Sequence, residues 1–362
     1  MRHPYDGIPD YARWDRAVAQ PPGADVDPVV RFPFRLTREH RVVTAGSCFA
    51  QHISRYLRHA GFNHLVTEPA HPLLTEFNLD TPFNYGVFSA RFGNIYTSRQ
   101  LEQLFRRAFG TFVPTETAWT RPDGRLVDPF RPTIQQSGFR TQPELEADRR
   151  QHLVAVRRAL EELDVFIFTL GLTECWTTAA DGAALPLAPG VAGGVYDPAR
   201  YALINLNVSD VVTDMTRFIE ALRAVNPTAT VILTVSPVPL SATALDRHVL
   251  VSTTYSKAVL RVAAEGLAAA LDAVHYFPAY EIVTGQFSRG QYFSDDLRSV
   301  TASGVDHVMS LFFKHAAEGG TRPTEAAATE APVLLSRAKL KKALQVMCDE
   351  ELLLLGTDTR RL

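Results

Sequence analysis

The 362-residue chain is poor in several features that mark function classes. It has only three cysteines, Cys48, Cys175 and Cys348, an odd set without metal-ligand spacing. That excludes a disulfide scaffold and a thiolate metal site. Its longest apolar runs, Val165–Leu170 and Val231–Val235, are strand-sized and far short of the ~20 residues of a membrane span. No charge of one sign dominates: 37 basic residues stand against 39 acidic ones, a net −2. A phosphate-backbone binder would need a basic surplus, so nucleic acid is not an expected partner. Neither a P-loop nor Gly-x-Gly-x-x-Gly occurs, which weakens a nucleotide-binding reading. Residues 1–10 are polar and hold Pro4 and Pro9, unlike a secretory signal. The expectation is a cytoplasmic protein in a reducing compartment, without membrane association.

What is present is ordinary globular composition, 46% hydrophobic and 21% charged. Length alone suggests about two domains at ~150 residues each. Short β-rich runs alternate with helical patterns. Residues 41–45, 164–170, 228–235 and 273–277 are apolar on both faces and end at Gly46, Gly171, Ser236-Pro237 and Pro278. Both-face apolarity is what a parallel sheet covered on two sides requires. Between them, residues 49–60, 100–109, 145–163, 211–225, 254–271 and 303–317 carry apolar spacing of three and four. Strand and helix alternating in this way predict a parallel, doubly wound α/β sheet.

Two regions, 110–143 and 177–203, are rich in Pro, Gly, Thr and Asp and read as long loops. Residues 318–332 form a low-complexity linker, EGGTRPTEAAATEAP. Residues 333–362 then read as an amphipathic helix that either docks or binds a partner, and Leu352–Leu355 favours docking. Residues 1–34 are a lead segment, and 35–317 hold the main domain.

In open parallel sheets ligands bind beyond the carboxyl ends of the strands, so the residues after each run carry the interest. After the first comes Gly46-Ser47-Cys48-Phe49-Ala50. A nucleophile there sits at a helix N-terminus, which lowers a thiol pKa and offers N–H groups to an oxyanion. The plain alternative is a turn, a cap and a small buried thiol. After the second run comes Gly171-Leu-Thr-Glu-Cys-Trp176, where Gly171 admits close backbone and Thr173 has a donor. The alternative there is a strand-to-loop turn with Trp176 filling the core. Candidate bases are His248 and His307 equally, with His52, one helical turn past Cys48, third.

These residues together resemble the GSCFA-domain family, whose signature stands at 46–50. Residues 83–97, 169–176, 234–240, 276–282 and 304–309 are similar to the same family, so the resemblance spans about 35–317. The family is grouped with SGNH/GDSL-type hydrolases, which are esterases, lipases and carbohydrate acyltransferases or deacetylases. The resemblance implies a three-layer α/β/α sandwich with an SGNH/flavodoxin-like sheet. It also implies a nucleophile after the first strand and an oxyanion hole from later loops. Cys48 matches the nucleophile position, with Ser47 its rival one residue earlier. Gly93 and Asn94 resemble the oxyanion positions, and Gly171 with Thr173 resembles the next block, although Thr173 stands where Asn is usual. Glu174 would orient a base or cap a turn. Asp296 would orient a histidine three residues on, but Ser299 stands there instead. Arg91 and Arg99 would either hold an anion or be surface charge.

The expectation is an acyl-ester hydrolase or acyltransferase acting on an acylated carbohydrate or small metabolite. No metal or cofactor is expected, with acyl-CoA open as a donor. The alternative is a non-catalytic binding or scaffold protein on a hydrolase-like fold, suggested by Ser299. Oligomeric state and acyl group are not legible.

Overall fold

A computed structural model describes residues 3–73, 83–319 and 349–355. Its centre is a sheet built from the doubly apolar runs. In chain order the elements are β1 (Val42–Gly46), α1 (Ala50–His59), α2 (Ser98–Ala108), β2 (Trp119–Thr120), β3 (Leu126–Val127), α3 (Gln142–Glu162), β4 (Val165–Leu170), β5 (Glu174–Thr178), β6 (Ala184–Leu185), β7 (Tyr201–Asn205), α4 (Val208–Val225), β8 (Thr230–Val235), α5 (Val249–Ala270), β9 (Val274–Tyr276), α6 (Ala279–Thr284) and α7 (Ala302–Ala316).

Four strands form the parallel sheet in the order β1-β4-β8-β9. On the other side of β1, His64 makes a parallel bridge to Val42, and Leu65 N–H donates to Val42 C=O at 2.9 Å. The chain therefore leaves β1 in one direction to residue 64 and returns across it to β4. That reversal puts helices on both faces, as right-handed crossovers require. On one face Val43, Phe166, Phe168 and Leu233 pack under α2, α3, α4 and α5. On the other, Val42, Val165, Ile167 and Ile232 pack under α1, α6 and α7. The doubly wound α/β architecture is thus the one the alternating runs predict.

Helices α2, α3, α4, α5 and α7 begin earlier than their apolar spacing suggests, because polar caps set their first turns. Thr97, Thr141, Asn207, His248 and Thr301 each accept a backbone N–H of the first turn. Thr97 forms a full capping box with Gln100 while buried beside Cys175. Thr97→Ala is expected to cost about 1 kcal/mol in a urea titration. A loss below ~0.3 kcal/mol would show that the box adds nothing.

The expected loops at 110–143 and 177–203 are not structureless. The first contains the antiparallel β2–β3 pair, and the second lies across the sheet β6-β5-β7. Strands of two to five residues leave too little alternation to read against their Gly and Pro neighbours. The linker expected at 318–332 and the helix at 333–362 fall outside the described residues, except for Glu318, Gly319 and 349–355. Among the described residues no helix is long and apolar enough to cross a membrane.

Candidate functional site

The site is assembled where β1, β4 and β8 end. Gly46 closes β1 at φ +136°, and a Cβ placed on it would lie 2.3 Å from the Thr169 carbonyl oxygen. Only glycine lets β1 approach β4 this closely while turning into the next segment. Ser47 N–H then donates to the same Thr169 carbonyl at 3.1 Å, carrying the ladder one residue past the strand. The Ser47 hydroxyl is buried and has no hydrogen-bond partner among the described residues.

Cys48 follows, buried, at the head of α1. Tight bonds from Ala50 N–H to Ser47 C=O (2.9 Å) and from Gln51 N–H to Cys48 C=O (3.1 Å) close the first turn. Among the described residues no side chain caps the helix. Cys48 therefore lies in the positive end field of α1, where a thiolate or an oxyanion is favoured.

Two further loops meet this turn. Ile95 N–H donates to Gly46 C=O at 2.8 Å, which fixes the 93–96 segment against β1. Gln51 Nε2, one turn into α1, donates to Asn94 Oδ1 at 3.0 Å. That bond orients the amide and leaves Asn94 Nδ2 to donate outward. Gly93 sits at φ +72° with open space where a Cβ would lie. Gly171 N–H donates to Tyr96 C=O at 3.0 Å, and a Cβ on Gly171 would come 3.0 Å from Ser47 Cβ. Ser47, Cys48, Gly93, Asn94 and Gly171 are thus brought together by backbone bonds.

The remaining sequence-derived candidates are placed differently. Thr173 is buried, its hydroxyl donating to Asn205 Oδ1 at 2.6 Å and its N–H to Ser256 Oγ at 3.0 Å. Glu174 accepts from the Thr243 hydroxyl at 2.6 Å. His248 is exposed and caps α5, its Nδ1 accepting from Leu250 N–H at 3.1 Å. His307 is buried and bonds the Tyr292 hydroxyl through Nδ1 at 2.8 Å, and burial holds its pKa below the usual value. Asp296 accepts from the Ser299 hydroxyl at 2.5 Å and from the N–H groups of Arg298 and Ser299. Ser299 therefore takes up the carboxylate that a histidine would have used. His52 is held neutral, with its pKa lowered to about 3 by burial and by the Arg55 charge. Cys175 is inert by the same logic, its thiol pushed up to about 11 by burial. Arg91 is not surface charge: it is buried, paired with Glu68 and with Asp148. Arg99 pairs with Asp214 at 2.8 Å.

Residues not singled out from the sequence complete the site. Lys257 of α5 is 2% exposed and donates to Gly171 C=O at 2.6 Å. Arg298 donates through Nε to Pro239 C=O at 3.1 Å and pairs with Glu350. The neighbouring Asp349 accepts from Asn94 Nδ2 at 3.1 Å and from the Thr133 hydroxyl at 2.6 Å. Asp349 N–H donates to the Tyr96 hydroxyl oxygen at 3.1 Å. The only advance signal was Lys257, a lysine three residues before Leu260 on the apolar stripe of its helix. Among the described residues no group of three or more His, Cys, Asp or Glu side chains could hold a metal ion.

Among solved structures the chain is similar to a family 3 carbohydrate esterase from Clostridium thermocellum. Identity is 14%, over 77% of this chain and 94% of that one, with a TM-score of 0.29. No curated protein matches the chain. The GSCFA family model matches residues 41–312, beginning just before the strand that leads into Gly46-Ser47-Cys48, and the chain belongs to the GSCFA family.

Proposed function

We propose that the protein is an acyl-transfer enzyme of the SGNH hydrolase type, with Cys48 as its nucleophile. The observation that carries this reading is the convergence of the Gly46 turn, the α1 N-terminus, Asn94 and Gly171. Cys48 Sγ attacks the carbonyl carbon of an ester or thioester, and its proton passes to a base or to solvent. Asn94 Nδ2 and the N–H groups at the head of α1 hold the oxyanion. The oxyanion collapses, the alkoxide or thiolate leaves with a proton, and a thioester stays on Cys48. Water or an alcohol acceptor then releases the acyl group.

The base set favours cysteine over Ser47. A hydroxyl needs a strong neighbouring base, whereas an ordinary thiol is already a few per cent thiolate at neutral pH and is intrinsically more nucleophilic. His52, held neutral near 3, is a poor proton acceptor, and His248 and His307 each engage Nδ1 with another group, Leu250 N–H and the Tyr292 hydroxyl. A small acylated metabolite or carbohydrate is the substrate class, and acyl-CoA is a compatible donor. The engagement of Nδ1 in His248 and His307, with Ser299 on the Asp296 carboxylate, favours a second reading, a non-catalytic binding protein on this fold.

The two readings separate on Cys48→Ala and Ser47→Ala, assayed with p-nitrophenyl acetate and acetyl-CoA. Cys48→Ala is expected to lose about 10³-fold or more in turnover. Ser47→Ala should stay within tenfold, since its hydroxyl makes no bond to lose among the described residues. Unchanged activity in both variants overturns the nucleophile assignment, and absence of turnover in the wild type overturns the enzymatic reading. Mapping the residue alkylated by iodoacetamide checks the assignment without turnover.

A further inference from the structure

The least expected feature of the site is its acidic occupant. Asp349 and Glu350 are adjacent in sequence, 30 and 31 residues beyond Gly319, and both are buried at the carboxyl edge of the sheet. They meet different chemistry. The Asp349 carboxylate receives Asn94 Nδ2 and the Thr133 hydroxyl, which are neutral donors. Glu350 receives the Arg298 guanidinium, with the Lys257 ammonium acting on it as a second positive charge.

Both cations are built into the domain rather than lent by flexible surface chains. Arg298 is 15% exposed and braced by Pro239 C=O from the loop after β8. Lys257 is 2% exposed and braced by Gly171 C=O from the loop after β4. Holding cations in a poorly solvated place is costly unless an anion offsets them. Fixing them beforehand also removes the ordering cost that an incoming carboxylate would otherwise meet.

We propose that Arg298 and Lys257 form a carboxylate-binding subsite beside Cys48, that the substrate carries an acidic group there, and that Asp349-Glu350 occupies the site as an internal surrogate of that substrate. The inference rests on the acyl-transfer reading of Cys48 and extends it to a substrate class. Asp349 stands where the oxyanion would be held, on the amide of Asn94. Glu350, one residue away, stands where the acidic group would be held. At most seven atoms lie between the Asp349 and Glu350 carboxyl carbons along the chain, so the fitting acyl group is a dicarboxylic one of that length or shorter, and glutarate serves as its probe. Burial pushes both carboxyl pKa values up, so both groups are held there at a desolvation cost. The occupant belongs to the same chain, so a free competitor must exceed its effective concentration.

Calorimetric titration with glutarate tests the subsite on the full chain without any turnover. The D349N/E350Q variant is expected to bind glutarate at least tenfold tighter than the wild type. Adding R298Q to it should lose that gain, and butyrate should show no tightening at all. E350Q alone keeps side-chain size and should move in the same direction by about threefold, which serves if the double variant folds poorly. No tightening in E350Q, or a gain that survives R298Q, overturns the proposal. In parallel, p-nitrophenyl hemiglutarate should gain over p-nitrophenyl butyrate in D349N/E350Q. Glutarate binding as expected with fully active Cys48→Ala would remove the nucleophile and leave the subsite standing. The opposite pattern would remove the subsite alone.

Discussion

Lowering the pH from 7 to 4.5 is expected to remove about 5 kcal/mol of folding stability, a large part of the ~5–15 kcal/mol a domain ordinarily has. The cause is two histidines that the fold holds neutral. His64 is 8% exposed, with Nε2 3.1 Å from the Thr44 hydroxyl and 3.2 Å from that of Ser89, and burial lowers its pKa to about 3. His152 is fully buried and bonds Glu68 through Nδ1 at 2.8 Å. Burial and the Arg131 charge outweigh the Glu68 carboxylate and lower the His152 pKa to about 4. In the unfolded chain both would bind protons near 6.5, but in the fold neither does until far lower. Stability is therefore intact above about pH 6.5 and lost as the pH falls toward the folded values. Each neutral histidine contributes a slope of ~1.4 kcal/mol per pH unit, so two groups over two units give about 5 kcal/mol.

Carboxylates extend the loss at lower pH. Burial alone would raise Glu68, but the His152 and Arg131 interactions prevail and hold it at about 2. Asp128, fully buried, is likewise held below its ordinary value, because Arg131 and Arg149 override the burial cost. Both carboxylates stabilise the fold above their unfolded pKa values, near 4, and cease to do so as the pH falls through the lowered ones. Urea titrations at pH 7, 6, 5 and 4.5 read the effect directly. A midpoint that stays flat to pH 5 would show that these imidazoles are not protected. His64→Gln, which removes one of the two titrating rings, should roughly halve the loss above pH 4.5.

The same network marks the limit of what the sequence discloses. The sheet was legible because 164–170 and 228–235 are apolar on both faces, a pattern only a doubly covered strand needs. Helix starts were less so: α5 begins at Val249 rather than near Thr254 because His248, a polar residue outside the apolar stripe, caps it. Arg91, Arg131 and Asp128 carry no periodic signature, since a buried ion pair joins residues that only the fold brings together. The candidate site divides in the same way. Ser47, Cys48 and Gly171 directly follow or close strands, so topology places them, whereas Asn94 was indicated by the family resemblance alone. Lys257 and Arg298 lie on a helix and in a loop and become neighbours of Glu350 only through tertiary packing. The roles of His248 and His307 were open in the sequence because a cap, a buried tyrosine partner and a general base all use the same side chain.

Gly46→Ala should be among the most damaging single-methyl changes available to this chain. Two separate costs coincide at that position. A non-glycine residue at φ +136° lies outside the regions L-amino acids readily adopt, a strain of about 1–3 kcal/mol. The added Cβ would also stand 2.3 Å from the Thr169 carbonyl oxygen and 2.7 Å from its nitrogen. Those atoms belong to a central strand bonded on both sides, to β1 and to β8, and cannot swing away like a side chain. Overpacking of this kind costs about 1–3 kcal/mol more and moves β1 away from β4. Gly93→Ala is the matched control: its φ is also positive, at +72°, but nothing lies within 4 Å of the new methyl. It should lose only the left-handed backbone cost, about 1–2 kcal/mol. Gly46→Ala is thus expected to fall at least ~2 kcal/mol below Gly93→Ala in urea titrations, or to be recovered only as insoluble chain. Where it folds, it should also slow iodoacetamide labelling of Cys48, because the turn that presents Cys48 at the α1 N-terminus starts from Gly46. Equal stabilities for the two variants would mean that β1 and β4 tolerate separation at their carboxyl ends. The close approach there would then not be what sets the geometry of the Ser47-Cys48 turn.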